Sequence, residues 1–240
     1  MLRVRWFISV SAMVLAVSIL AGCAGGEAQS AGNQPVSNRT VVVEVFTSAD
    51  CPQCPPAKEA LENLASDYEL DKVLLLEYAL TGHLACDDGQ ARAGEYKVRS
   101  VPTVVFNGQN KTEEAKSYDE YKEIVESELF KDTTVTLIAM RSISSDVVSI
   151  NAAVTNSGVF IIENAWVMCV VYEDIGEPGN HCLVRDIIAS SLNNLSAGES
   201  RDFSVMSETL FWCDMSNMGV VVFVLRTDSK EILQATLAKM

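Results

Sequence analysis

Val41-Val42-Val43-Glu44-Val45-Phe46-Thr47-Ser48-Ala49-Asp50-Cys51-Pro52-Gln53-Cys54-Pro55-Pro56-Ala57-Lys58 is the stretch on which the fold turns. Residues 40 to 46 form a nearly unbroken apolar run, the pattern of a buried strand. A helical pattern begins at Pro55. Proline suits a first helical turn, because the N–H it lacks would have no partner there. Two thiols spaced two residues apart at a strand-to-helix turn can close a small disulfide without refolding anything. They also lie at the positive end of the helix dipole, which lowers a thiol pKa. A Cys-x-x-Cys beside a β-α-β pattern reads first as a thiol–disulfide redox pair. The competing reading is a static structural bridge.

Working outward, Ala57, Leu61, Leu64 and Ala65 carry the helix to about Asp67. Residues 73–78 read as a second buried strand, followed by a loop and a short helix over about 89–96. Val101-Pro102-Thr103-Val104-Val105-Phe106-Asn107-Gly108 predicts a strand and a turn, Asn-Gly being a strong hairpin signal. A helix over 113–130 closes the region, with Tyr118, Tyr121, Ile124, Val125 and Leu129 along one side. This β-α-β-α-β-β-α order over residues 40–131 resembles the thioredoxin-like superfamily. Cys51-Pro52-Gln53-Cys54 and Val101-Pro102-Thr103, in that order, carry the resemblance. It implies a cis peptide bond before Pro102, with Pro102 facing the disulfide. The backbone beside it, at Val101, would pair with an extended substrate segment. Cys51 would be the nucleophile and Cys54 the resolving thiol. The longer strings 46–56 and 101–108 look like the surface thioredoxin-like lipoproteins named for outer membrane protein 28.

Glu44 interrupts an apolar run, where a carboxylate is costly without a partner or a task. It reads either as a buried proton acceptor for Cys54, like the acid on the corresponding strand of thioredoxins, or as an edge position facing solvent. Lys58 shares a helix face with Cys54 and reads as a surface lysine. Asp50 precedes Cys51 where thioredoxin has tryptophan. Its charge would raise a thiol pKa against the dipole and leaves the direction of exchange open. Cys86, in Thr81-Gly82-His83-Leu84-Ala85-Cys86-Asp87-Asp88, could form an alternative disulfide or pair with a cysteine further on. Cys51, Cys54, His83 and Cys86 also have the ligand types of a zinc or copper(I) site.

The N-terminus addresses the compartment. Arg3 and Arg5 precede an uncharged apolar stretch, Trp6 to Leu20, that ends in Leu20-Ala21-Gly22-Cys23. This order is that of a secretory signal over 1–22. The last four residues resemble the bacterial lipobox, which implies lipidation of Cys23. A single transmembrane anchor is the alternative, for which the apolar run is slightly short. Residues 23–39 read as a flexible tether. The net charge of −14 becomes −16 once Arg3 and Arg5 are removed. So acidic a chain is not expected to bind nucleic acid or anionic lipid by electrostatics. Outside the cytoplasm disulfides persist, and six cysteines remain: Cys51, Cys54, Cys86, Cys169, Cys182 and Cys213.

The pattern changes near residue 131. Seven short strands are expected, over 133–141, 147–155, 165–173, 184–191, 199–205, 219–227 and 231–238, with breakers at Asn156-Ser157-Gly158, Gly176-Glu177-Pro178-Gly179 and Ala197-Gly198. They suggest an immunoglobulin-like β-sandwich over 132–240, stapled by one disulfide among Cys169, Cys182 and Cys213. The 48% apolar content suffices for two separate cores. The expected architecture is thus an α/β thioredoxin-like domain followed by an all-β sandwich. The expected function is a membrane-anchored, extracytoplasmic thiol–disulfide oxidoreductase. It would need no organic cofactor, and its partners would be protein thiols and disulfides of the cell envelope. A non-enzymatic surface lipoprotein and a metal carrier are the competing classes.

Overall fold

In the computed structural model of the chain, residues 37–69, 71–176 and 182–240 are described. The expected signal segment, Cys23 and nearly all of the tether lie outside them. Among the described residues no helix is long and apolar enough to cross a membrane.

The first half contains β1 (Ser37–Asn38), β2 (Val41–Thr47), α1 (Cys54–Ser66), β3 (Val73–Ala79), α2 (Asp87–Glu95), β4 (Thr103–Phe106), β5 (Asn110–Thr112) and α3 (Tyr118–Leu129). β2 pairs in parallel with β3 and antiparallel with β4, and β4 turns into β5. Asn107 and Gly108 both take positive φ, 44° and 72°, as the hairpin signal requires. Alternation along β2 sets the layers. Val41, Val43 and Val45 face α1 and α3, packing on Leu61, Leu64, Tyr121 and Val125. Val42 and Phe46 face the other way, toward Tyr78 and Tyr96. α3 starts at Tyr118 rather than near 113, because Ser117 and Glu120 form a capping box that fixes its first turn.

The second half contains β6 (Asp132–Thr133), which pairs with β1, then β7 (Val135–Ser144), β8 (Val147–Asn156), β9 (Ile162–Glu173), β10 (Leu183–Leu195), β11 (Ser200–Met206), β12 (Met218–Arg226) and β13 (Ile232–Leu237). All seven expected strands are present. β11-β8-β7 make a small sheet. It packs through Val148, Ile150 and Val154 onto Val167, Val220 and Val222 of β9 and β12.

The larger layer does not stand alone. β13-β12-β9-β10 continue into β3-β2-β4-β5 as one eight-stranded sheet. The join is a parallel contact of β10 with β3, Leu183 opposite Glu77, and Glu77 N donates to Cys182 O at 3.0 Å. Met168, Val170, Val221 and Phe223 then pack on Val42, Phe46, Leu76 and Tyr78. β12 and the Val167–Val171 part of β9 are therefore buried on both faces, which is why β12 reads Met-Gly-Val-Val-Val-Phe-Val-Leu without polar alternation. The halves on either side of residue 131 share a sheet and a core, in place of the two separate cores expected. The all-β half is two packed layers, but the outer face of its larger layer is covered by the α/β half. A self-contained immunoglobulin sandwich would leave that face to water.

Polar contacts seal the junction. Ile232 N donates to Asn107 O at 3.0 Å, and Thr40 N donates to Gln234 Oε1 at 2.9 Å. Buried Arg39 donates to Ile232 O and lies 3.3 Å from Glu231.

Candidate redox site

The chain leaves β2 at Thr47, turns through residues 48–53 and enters α1 at Cys54. Cys51 N donates to Ser48 O at 3.2 Å, and Cys54 N to Cys51 O at 3.3 Å. Cys51 and Cys54 are joined in a disulfide with Cα atoms 5.4 Å apart. Cys51 is half-buried, while Cys54 is 2% exposed. No side chain caps α1. Pro52, Pro55 and Pro56 carry no N–H, so the helix end offers only the Gln53, Cys54 and Ala57 amides. Of these, Cys54 and Ala57 donate to backbone carbonyls. Stabilisation of a Cys51 thiolate there rests on the dipole more than on direct hydrogen bonds. Asp50 is exposed to water.

The Val101–Pro102 bond is cis. Thr103 pairs with Phe46 across the β2–β4 ladder, so Pro102 sits at the end of the sheet from which the chain departs for Cys51. Val101 is half-buried beside it.

A pocket of about 230 Å³ opens against the disulfide, lined by Thr47, Cys51, Cys54, Lys58, Glu77 and His83 among others. Its acid is Glu77, not Glu44. Val45 is the partner of Glu77 in the β2–β3 ladder, so Glu77 points to the α1 side. Thr47 Oγ1 donates to Glu77 Oε1 at 2.8 Å, and Lys58 Nζ does so at 3.1 Å. Glu77 Oε2 is buried with no hydrogen-bond partner. Burial pushes the Glu77 carboxyl up, against the opposing pull of Lys58 and Thr47. Lys58, expected at the surface, is 13% exposed and belongs to this pair. Glu77 carried the same signal as Glu44, a lone carboxylate in the apolar run Val-Leu-Leu-Leu-Glu-Tyr-Ala. Periodicity alone did not say which of the two shares a face with the helix.

Glu44 has another role. It is fully buried on the opposite side of the sheet, and neither proposed position, beside Cys54 or at a solvent edge, describes it. Arg92 Nε and Nη2 donate to its two oxygens at 2.9 and 3.1 Å. Tyr78 Oη and Tyr96 Oη donate to them at 2.9 and 2.6 Å. Burial and then the Glu44 charge push both phenols well up, so they stay protonated donors. Arg92 also lies 5.7 Å from the Phe223 ring, which ties this network to β12.

The expected staple among Cys169, Cys182 and Cys213 is not formed. Cys86, Cys169, Cys182 and Cys213 are free. Cys169 packs into the core beneath β11-β8-β7 while Cys182 packs into the core against β2 and β3. They lie on opposite sides of one layer, so that pair is not a staple. Cys86 caps α2: its Sγ accepts from Gly89 N at 3.4 Å and donates to Val184 O at 3.5 Å. His83 is exposed at the pocket mouth. Among the described residues no group of three or more His, Cys, Asp or Glu side chains gathers as a metal site. Cys51, Cys54, His83 and Cys86 are thus not assembled as ligands, the first two being bonded to each other.

No family model matches the chain. A thioredoxin of Methanocaldococcus jannaschii is 37% identical over 68 residues, 28% of this chain and 72% of that protein. Among solved structures, HBP35 of Porphyromonas gingivalis is similar with a TM-score of 0.68 at 15% identity, over 85% of this chain and 76% of that one. That likeness is one of fold, and at 85% it takes in both halves. A domain of the outer membrane lipoprotein Omp28 from Porphyromonas gingivalis overlaps 45% of this chain and 88% of its own, with a TM-score of 0.35 at 13% identity.

Proposed function

The chain belongs to the thioredoxin family, and from that premise we propose that it is an extracytoplasmic thiol–disulfide oxidoreductase anchored by a lipid on Cys23. The observation that carries the reading is the disulfide itself: a half-buried Cys51 bonded to a buried Cys54 at a helix N-terminus, opening on a pocket that holds an under-partnered carboxylate.

In the reducing direction the Cys51 thiolate attacks a substrate disulfide. One substrate sulfur leaves as thiolate, and a mixed disulfide forms. Cys54 then loses its proton and attacks Cys51 Sγ. The second substrate thiolate leaves, and the Cys51–Cys54 bond closes. Run backwards, the same steps oxidise a substrate. Glu77 takes the Cys54 proton, since it lines the same pocket and its burial favours the protonated form. Val101 and Pro102, at the same end of the sheet, offer backbone to an extended segment of a protein substrate. The all-β half docks the partner or orients the site. Leu20-Ala21-Gly22-Cys23 supports the lipid anchor.

Turnover of a test protein disulfide, driven by a dithiol reductant, tests the reading. Cys51→Ser is expected to abolish exchange, and Cys54→Ser to accumulate mixed disulfides with substrate. Full activity in Cys51→Ser overturns the mechanism. Retention of a Cys23→Ser protein in the membrane fraction overturns the anchor.

A further inference from the structure

A second cleft, of about 410 Å³, lies beyond His83, which lines both it and the redox pocket. Cys86, Asp88, Arg185, Asp186 and Trp212 are among its lining residues. It forms where α2 meets β10 and the segment that leads into β12. Cys86 lines this cleft, and Cys213 follows Trp212, which also lines it; these two free thiols are held at neighbouring rungs of the β9–β10 ladder, Val184–Tyr172 and Leu183–Glu173. Cys86 is held from the β10 side, through its 3.5 Å hydrogen bond to Val184 O. Leu183, the next residue back, pairs with Glu173 of β9. Cys213 is held from the β9 side: Asp214 N, the next amide, donates to Glu173 Oε1 at 2.7 Å. Glu173 Oε2 is 2.7 Å from Arg185 Nη2, and the Arg185 charge acts on both thiols while that of Glu173 acts on Cys213. Cys213 N in turn donates to Leu210 O, and Leu210 also lines the cleft.

We propose that Cys86 and Cys213 are a second redox pair, a dithiol that closes into a disulfide across the junction of the two halves. The pair is independent of the Cys51–Cys54 chemistry. Its oxidant is a low-molecular-weight disulfide such as oxidised glutathione. The Cys86 thiolate attacks one glutathione sulfur, the glutathione disulfide bond breaks, and one glutathione thiolate leaves. The Cys213 thiolate then attacks Cys86 Sγ and expels the second. Two cysteine thiols are oxidised, one glutathione disulfide is reduced, and the two cysteine protons end on two glutathione thiols.

The surroundings set the pace of this step. Burial pushes Cys213 up to about 11 and Cys86 above the ordinary thiol range. Each thiol feels the Arg185 guanidinium, which pulls the other way, and Cys213 also feels Cys86. Scarce thiolates attack slowly, and high-pKa sulfurs leave slowly. The bridge thus closes and reopens less readily than one between ordinary thiols. Once closed, it tethers the start of α2 to the segment before β12 and holds the loop that carries His83 at the redox pocket.

The test uses the full chain, reduced and then equilibrated in glutathione redox buffers, with free thiols trapped by acid and alkylation before peptide mass spectrometry. A Cys86–Cys213 linked peptide, lighter by two hydrogens than its two reduced parts, is expected in the wild type and in a Cys51→Ser/Cys54→Ser protein. It is expected to vanish in Cys213→Ser. The proposal is overturned if, in buffers that fully oxidise Cys51–Cys54, Cys86 and Cys213 are each recovered alkylated or separately glutathionylated. It is equally overturned if Cys86 is recovered linked to Cys51, Cys54 or Cys182. Neither result would touch the exchange activity, which Cys51→Ser tests separately.

Discussion

Asp186→Asn is expected to stabilise the protein at neutral pH and to do nothing in acid. Asp186 lies on β10 at the junction, 5% exposed, and its Oδ2 accepts from Glu208 N at 2.9 Å. Burial, followed by the hydrogen bond and charge of Asp88 on α2, pushes its carboxyl from 3.8 up to about 6, against the lowering pull of the Glu208 amide. Two units at about 1.4 kcal/mol each amount to roughly 3 kcal/mol. The cleft is open to water, and screening reduces that to about 1–2 kcal/mol. Below about pH 3.8 the group is protonated whether the chain is folded or not, and it contributes no pH dependence. Between there and about 6 the folded state holds the proton more tightly, so stability falls as pH rises. Above about pH 7 the whole cost is present. Asparagine imitates the protonated acid: its oxygen still accepts from Glu208 N, and its amide donates to Asp88. Thermal unfolding of Asp186→Asn should show a gain of about 2–6 °C at about pH 7.5 and none at about pH 4. A gain of equal size at both values, or a loss at the higher one, refutes the reasoning.

Glu77→Gln keeps an acceptor for Thr47 but not a base. It should slow closure of the Cys51–Cys54 bond in mixed disulfides by roughly 10²-fold at neutral pH, the lower end of what a positioned base supplies. Stopped-flow release of the substrate thiol reads this, and an unchanged rate would leave Glu77 a packing residue. Arg92→Met strands the Glu44 carboxylate in a closed site and should cost about 3–5 kcal/mol in urea unfolding. A loss below about 1 kcal/mol would mean that water reaches Glu44. At Gly108 a Cβ would collide with the Lys230 carbonyl, and φ there is +72°. Gly108→Ala should therefore destabilise by about 2–4 kcal/mol, seen as a shifted denaturation midpoint. Native stability in that variant would show that the 108–230 contact is not close in solution.

Local periodicity carried most of the secondary structure. Every expected helix and strand is present, the ends shifting by a few residues where a cap such as Ser117–Glu120 intervened. The Cys51–Cys54 pair was likewise legible, as a short motif at a strand-to-helix turn, and the cis bond before Pro102 followed from the resemblance that Val101-Pro102-Thr103 helps to carry. Arg92 was not. It falls in a short polar helix, and only the packing of α2 against β3 and β10 makes it the buried partner of Glu44.

By itself, then, the sequence determined which segments are strand or helix, where the paired thiols sit, and that the chain is acidic and apolar enough to fold. Tertiary structure decided which side each of those residues faces and what it meets. The register of β2 on β3 sends Glu77 toward α1 and Glu44 away from it. The contact of β10 with β3, more than a hundred residues apart in the chain, merges two halves into one sheet. Pairing of distant strands follows from burying shared faces and leaves no periodic trace in either segment, so it appears only when the chain is folded.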